Sequence, residues 1–109
     1  MQLTSMKGAD CQSAETGDHD LALAERLAAA SQGDIAALFD LGVAYSTASS
    51  GAQSDLVEAH KWFNLAAARG HEEAAWSRAD ISEEMTAREI AEAQRRARQW
   101  LAEERARAA

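Results

Sequence analysis

Not one proline interrupts the 109 residues of this chain, and cysteine occurs once. Proline inside a helix removes a backbone donor and clashes with the preceding turn, so nothing here breaks a long helix on that account. β-branched residues are scarce while alanine is abundant, and the two together favour helix. The single cysteine, Cys11, excludes an internal disulfide and reads as a free thiol, with an intermolecular bridge or redox role as the alternative. No apolar run approaches the roughly 18 residues that a membrane span needs. Residues 1–18 also lack the basic and apolar regions of a secretory leader, so a cytoplasmic protein is expected. Positive charge is in short supply: 11 Lys and Arg against 18 Asp and Glu give a net charge of −7. A general nucleic-acid binder carries a basic surplus, so this balance argues against one and suits basic partners.

Chemical motifs are missing too. The chain has no nucleophile elbow, no glycine-rich phosphate loop and no triad-like grouping. His19, His60 and His71 do not fall at zinc-ligand spacing and have no cysteine cluster beside them. His71-Glu72-Glu73 reads instead as the first turn of a helix, where acidic side chains suit the dipole. The expectation is a non-catalytic protein with no metal and no cofactor.

Helical patterning fills the rest. Residues 1–18 mix polar residues without periodicity and read as a flexible tail, followed by a helical domain over 19–109. Leu23, Leu27 and Ala30 mark one face of a first helix, with Ala24 and Ala28 widening it, Asp18 or Asp20 as cap and Gly33 as stop. Asp34 caps a second helix to about Ser46 that carries Leu38, Leu41 and Tyr45. Residues 47–54, small and polar, form a loop. Ser54 or Asp55 opens a third helix bearing Leu56, Ala59, Trp62, Phe63 and Ala66, and Gly70 ends it. A fourth, acidic helix runs over His71–Glu84. Thr86 with Glu89 is a capping box for a fifth, whose Ile90, Ala93, Ala97, Trp100 and Leu101 share one side. Five helices without a strand signal make the fold class all-α.

The chain also repeats itself. Gly33-Asp34-Ile35-Ala36-Ala37 recurs as Gly70-His71-Glu72-Glu73-Ala74 at an offset of 37. Leu27-Ala28-Ala29-Ala30 recurs as Leu65-Ala66-Ala67-Ala68, and Ala59-x-x-Trp62 as Ala97-x-x-Trp100, both at 38. Glycine and tryptophan take part, so alanine richness alone does not account for the matches. A repeated helix pair cannot bury its apolar faces alone, and stacking neighbouring pairs completes the core. Gly42, inside the second helix, costs about 1 kcal/mol against alanine, which a close helix–helix approach would justify.

Ala37-x-x-x-Leu41-Gly42-x-x-Tyr45, then Asp55-x-x-x-Ala59-x-x-Trp62-x-x-x-Ala66-Ala67-x-x-Gly70, then Ala74, resembles the Sel-one-like repeat, a relative of the tetratricopeptide repeat. The resemblance covers residues 34–74. Of the family's usual Gly-x-Gly-Val loop only Gly51 is present, and in residues 75–101 Arg78 stands for Leu41 and Ala79 for Gly42. The ending, Ala93-Gln94-Arg95-Arg96-Ala97-x-x-Trp100, is similar to that of bacterial members. The resemblance implies an α/α solenoid, a tetratricopeptide-like superhelix of antiparallel helix pairs. Its parts would be a capping helix over 19–32, a well-formed repeat over 34–70 and a degenerate one over 71–106. It also implies an adaptor or regulatory module that binds other proteins.

In such a stack the second and fourth helices line the concave face. With Leu38, Leu41, Gly42 and Tyr45 turned inward, helical geometry turns Ala36, Phe39, Val43 and Ser46 to the groove; their counterparts are Glu73, Trp76, Asp80 and Glu83. Phe39, Val43 and Trp76, with Asp80 and Glu83 beside them, then suit a peptide carrying apolar anchors and a Lys or Arg. The competing reading packs Phe39 and Trp76 against neighbouring helices or a second copy, giving a homodimer. A weaker alternative is nucleic-acid contact through Arg95, Arg96, Arg98, Arg105 and Arg107, against which Glu89, Glu92, Glu103 and Glu104 argue for an ion-paired, solvated face.

Overall fold

A computed structural model of the chain describes residues 21–49, 52 and 54–108. The expected tail with Cys11, the caps Asp18 and Asp20, His19 and the loop residue Gly51 lie outside them. Every regular element among the described residues is a helix: α1 over 21–31, α2 Ile35–Thr47, α3 Leu56–Ala68, α4 Glu72–Ser82 and α5 Ala87–Ala108.

Local chemistry sets the helix starts. The Asp34 carboxylate accepts from Ala37 N–H and the Asp55 carboxylate from Glu58 N–H, each satisfying an orphan donor of a first turn. At α5 the capping box is reciprocal: Glu89 N–H donates to Thr86 Oγ1 at 3.1 Å, and Thr86 N–H to Glu89 Oε1 at 2.8 Å. The cap of α4 is His71, whose Nδ1 accepts from Ala74 N–H at 3.0 Å. α4 is shorter than the expected His71–Glu84, because Glu83 and Glu84 N–H turn back to Asp80 and Ile81 carbonyls.

The corners α1–α2 and α3–α4 are one turn used twice. Gln32, Gly33 and Asp34 donate to the carbonyls of Ala29, Ala30 and Ala29; Arg69, Gly70 and His71 donate to those of Ala66, Ala67 and Ala66. Every atom recurs at an offset of 37. Both glycines sit at positive φ, +89° for Gly33 and +99° for Gly70, where an L side chain is strained. The Leu-Ala-Ala-Ala match at 38 is therefore one residue out of step with the corner that it precedes.

α3 is the centre. It packs against α2, α4 and α5, and it buries Ala59, His60, Trp62, Phe63, Leu65 and Ala66 on several sides. From α2 come the fully buried Leu38 and Leu41, and from α1 Ala30, with Leu23 and Leu27 packed behind it. Ala24 and Ala28 do not widen that stripe; both are exposed, since each lies one residue, about 100° of helical turn, beyond Leu23 and Leu27. Gly42 meets α3 directly: a Cβ there would lie under 3.0 Å from the ring of Phe63. α2 ends at Ala48, held left-handed at φ 56° while its N–H bonds Ala44 O, and Asp55 N–H closes the connection on Tyr45 O.

The second helix pair is built differently. α5 lies along α3, and α4 and α5 scarcely touch. At the three positions where α2 holds Leu41, Gly42 and Tyr45, α4 holds Arg78, Ala79 and Ser82. Ala79 is exposed, and Arg78 reaches back to α3, donating to Asn64 Oδ1 at 2.5 Å. The side chains that close α2 on α3 are absent, so α4 does not close on α5.

Candidate functional site

The exposed large hydrophobics among the described residues are Leu21, Ile35 and Trp76, and Trp76 is by far the largest, 72% exposed. A tryptophan so placed on a helix only eleven residues long is the feature that packing among the described residues does not explain. α4 buries Ala74 fully and sinks Ala75, Ser77, Arg78 and Ile81 partway; Glu72, Glu73, Trp76, Ala79, Asp80 and Glu83 make its outer side.

The other two members of the expected strip are held differently. The Phe39 ring stacks on His71, centroids 4.4 Å apart and 14° from parallel, and leans on Phe63 at 5.6 Å. Val43 is half-buried against the core. Phe39 and Val43 therefore share one turn of α2 and are partly covered, whereas Trp76 has no aromatic contact among the described residues. Asp80 and Glu83 flank it on α4, as the spacing predicts.

Charge divides the surface in the same way. Glu72, Glu73, Asp80, Glu83 and Glu84 form no ion pair among the described residues. On the α5 side several charges pair within the chain. Arg96 binds Glu92 at 2.7 Å and Glu58 at 2.8 Å, Arg95 binds Glu92 at 2.8 Å, and Arg69 of the α3–α4 corner pairs with Glu104. Hydrogen bonds from Arg95 and Arg96 pull the Glu92 carboxyl down to about 2. Burial alone would raise Glu58, but hydrogen bonds from Lys61 and Arg96, with their charges, bring it below its ordinary value. Of the five candidate nucleic-acid arginines, Arg95 and Arg96 are committed to these pairs, Arg107 lies 5.5 Å from the Trp100 ring, and Arg98 and Arg105 are exposed.

Of the repeat tryptophans, Trp62 is core and Trp100 is half-buried against it. Trp62 and Trp100 meet edge-to-face at 4.9 Å and 73°, with Lys61 Nζ 4.0 Å over the Trp62 ring. Their partners Ala59 and Ala97 are buried, as are Ala37, Ala66 and Ala74, while Tyr45 and Ala67 are half-buried. His60 is 3% exposed, its Nδ1 has no partner, and burial followed by the Arg78 charge pushes its pKa down.

No group of three or more His, Cys, Asp or Glu is arranged to hold a metal among the described residues. A depression lined by Gly33, Arg69, Glu104, Arg105 and Arg107 contains a cation, Arg69, already committed to Glu104 and to the Gly33 carbonyl. No described helix is long and apolar enough to cross a membrane. His71, Arg69 and Glu104 were missed as organising residues. A signal existed for His71 alone, which stands after Gly70 as the cap Asp34 stands after Gly33. Comparison with known protein families and with curated proteins finds no match for the chain.

Proposed function

We propose that the chain is a non-catalytic protein–protein interaction module, a short stack of Sel-one-like helix pairs that holds a segment of another protein on the surface centred on Trp76. The observation that carries this reading is the 72% exposure of Trp76 on a helix whose other large apolar side chain, Ile81, is half-buried. Tryptophan in such a place supplies a large, rigid contact area and is enriched among residues that dominate binding energy. Supporting the stack are the twice-used corner, Gly42 seated against Phe63, and the meeting of the equivalent tryptophans Trp62 and Trp100. Phe39 and Val43 contribute the rim of this surface, since His71 and the core take up part of each.

Affinity capture from the source cell with wild type and Trp76→Ala tests the reading. Specific proteins retained by wild type and lost by the variant are expected, with helicity of the two indistinguishable by circular dichroism. Cooperative loss of helicity in the variant would remove the binding assignment. Light scattering across concentrations separates this reading from self-association: a tight dimer abolished by Trp76→Ala would replace the partner with a second copy.

A further inference from the structure

We infer that the outer side of α4 receives a basic amphipathic helix that lies along α4 with a lysine or arginine against the indole of Trp76, a partner class that rests on reading the chain as an interaction module. The pairing of helices carries the shape. α2 has a mate along its length in α3, where Gly42 and Phe63 interlock, whereas α4 leans on α3 by one side and leaves the other to solvent. Helices bury such a side against another helix at an axial distance of about 8–10 Å.

The repeat indicates where that helix lies. Phe39 and Trp76 are the same position, 37 residues apart, counted from two identical corners. Phe39 is covered by His71, the cap of the next helix in its layer, and Trp76 has no such cover among the described residues. A partner helix laid along α4 would give Trp76 the cover that His71 gives Phe39.

Charge fixes its chemistry. Glu72, Asp80 and Glu83 fall with Trp76 on one helical stripe, Glu73 borders it, and none has a counter-ion among the described residues. A cation over an indole face is attracted by the ring quadrupole, and neighbouring carboxylates add to the pull. Lysine and arginine also lay their aliphatic stems on the ring while the charged heads reach those carboxylates. An acidic helix would meet like charge at every turn.

The test titrates the full chain into a labelled lysine/leucine amphipathic helix of about 18 residues, five turns, read by fluorescence anisotropy. A glutamate/leucine helix of the same pattern and a proline-broken lysine/leucine peptide run beside it. Saturable binding of the lysine helix is expected, weakened about tenfold or more by Trp76→Ala. Asp80→Lys with Glu83→Lys should weaken it comparably, and salt should weaken it further. All three positions are exposed, so folding is retained, and the charge-reversed variant carries the test if Trp76→Ala proves unstable. Equal binding by the variants, or preference for the acidic or the proline-broken peptide, overturns the basic helix and leaves the interaction module standing. No binding by any peptide overturns the basic helix, and the capture experiment then decides the module separately.

Discussion

α2 with α3, and α4 with α5, begin from the same corner and part company at three residues. In the first pair Leu41 and Gly42 are buried, Tyr45 is half-buried and Phe63 fits over the glycine. In the second, Arg78, Ala79 and Ser82 stand at those places, α4 turns a tryptophan outward, and α5 takes its packing from α3. A corner fixes where a helix starts and which way it leaves. Whether two helices then close on each other is decided further along, by one small residue opposite one large one. Weakening that closure frees a helix face for other contacts while the core around α3 stays intact.

Two of the tryptophans offer the strongest way to break the comparison. Trp62→Ala should destabilise by about 3–5 kcal/mol, since it empties a buried site, while Trp76→Ala should move stability by less than about 0.5 kcal/mol; urea unfolding measures both. Next is the closure itself. Gly42→Ala drives a methyl into Phe63 and should lower stability by about 1–3 kcal/mol, whereas Ala79→Leu, on an exposed helix face, should change it by less than about 0.5 kcal/mol. Equal effects at positions 42 and 79 would show that the two pairs are closed alike.

The corners should share one loss and differ by another. Asp34→Ala and His71→Ala each remove a cap worth about 1 kcal/mol, and His71 should lose about 0.5–1.5 kcal/mol more because it stacks on Phe39. The smallest effect is in pH. His60 has a lowered pKa in the folded chain, so the unfolded chain takes up a proton first as pH falls below its ordinary 6.5, and stability declines from there towards the folded value. Glu58, also lowered, holds its contribution above its ordinary 4.5 and loses it below. Thermal melts at pH 7, 5.5 and 4 should show both declines, and His60→Leu should remove the first. Arg78→Leu should shrink the first without removing it, because burial, the larger cause, remains.

Much of the fold was legible because it is written in neighbours. Asp34, Asp55 and the Thr86–Glu89 box announce helix starts within three residues, Gly33 and Gly70 announce stops, and Gly42 declared a close approach before its partner was known. The candidate site was legible by half. Trp76, Asp80 and Glu83 do share the outer side of α4. Phe39 and Val43 needed a fact that no local window holds, that His71 would fold over the first and the core against the second. Likewise, Arg78 and Ala79 were visible as departures from the repeat, but their effect on α5 depends on packing between segments far apart in the chain. Nothing nearby in sequence joins Arg69 to Glu104 or Arg96 to Glu58.

α5 is fastened chiefly to α3, by an indole contact in the middle and an arginine–glutamate clasp on each side of it, Arg96 with Glu58 and Arg69 with Glu104. It works as a hasp. Because it shares so little with α4, opening at the short link over residues 83–86 is expected to release it as one piece. Amide protons of α5 should therefore exchange together, ahead of those of α3, and a helix exchanged through that opening between two copies would rebuild every one of its contacts in the other molecule.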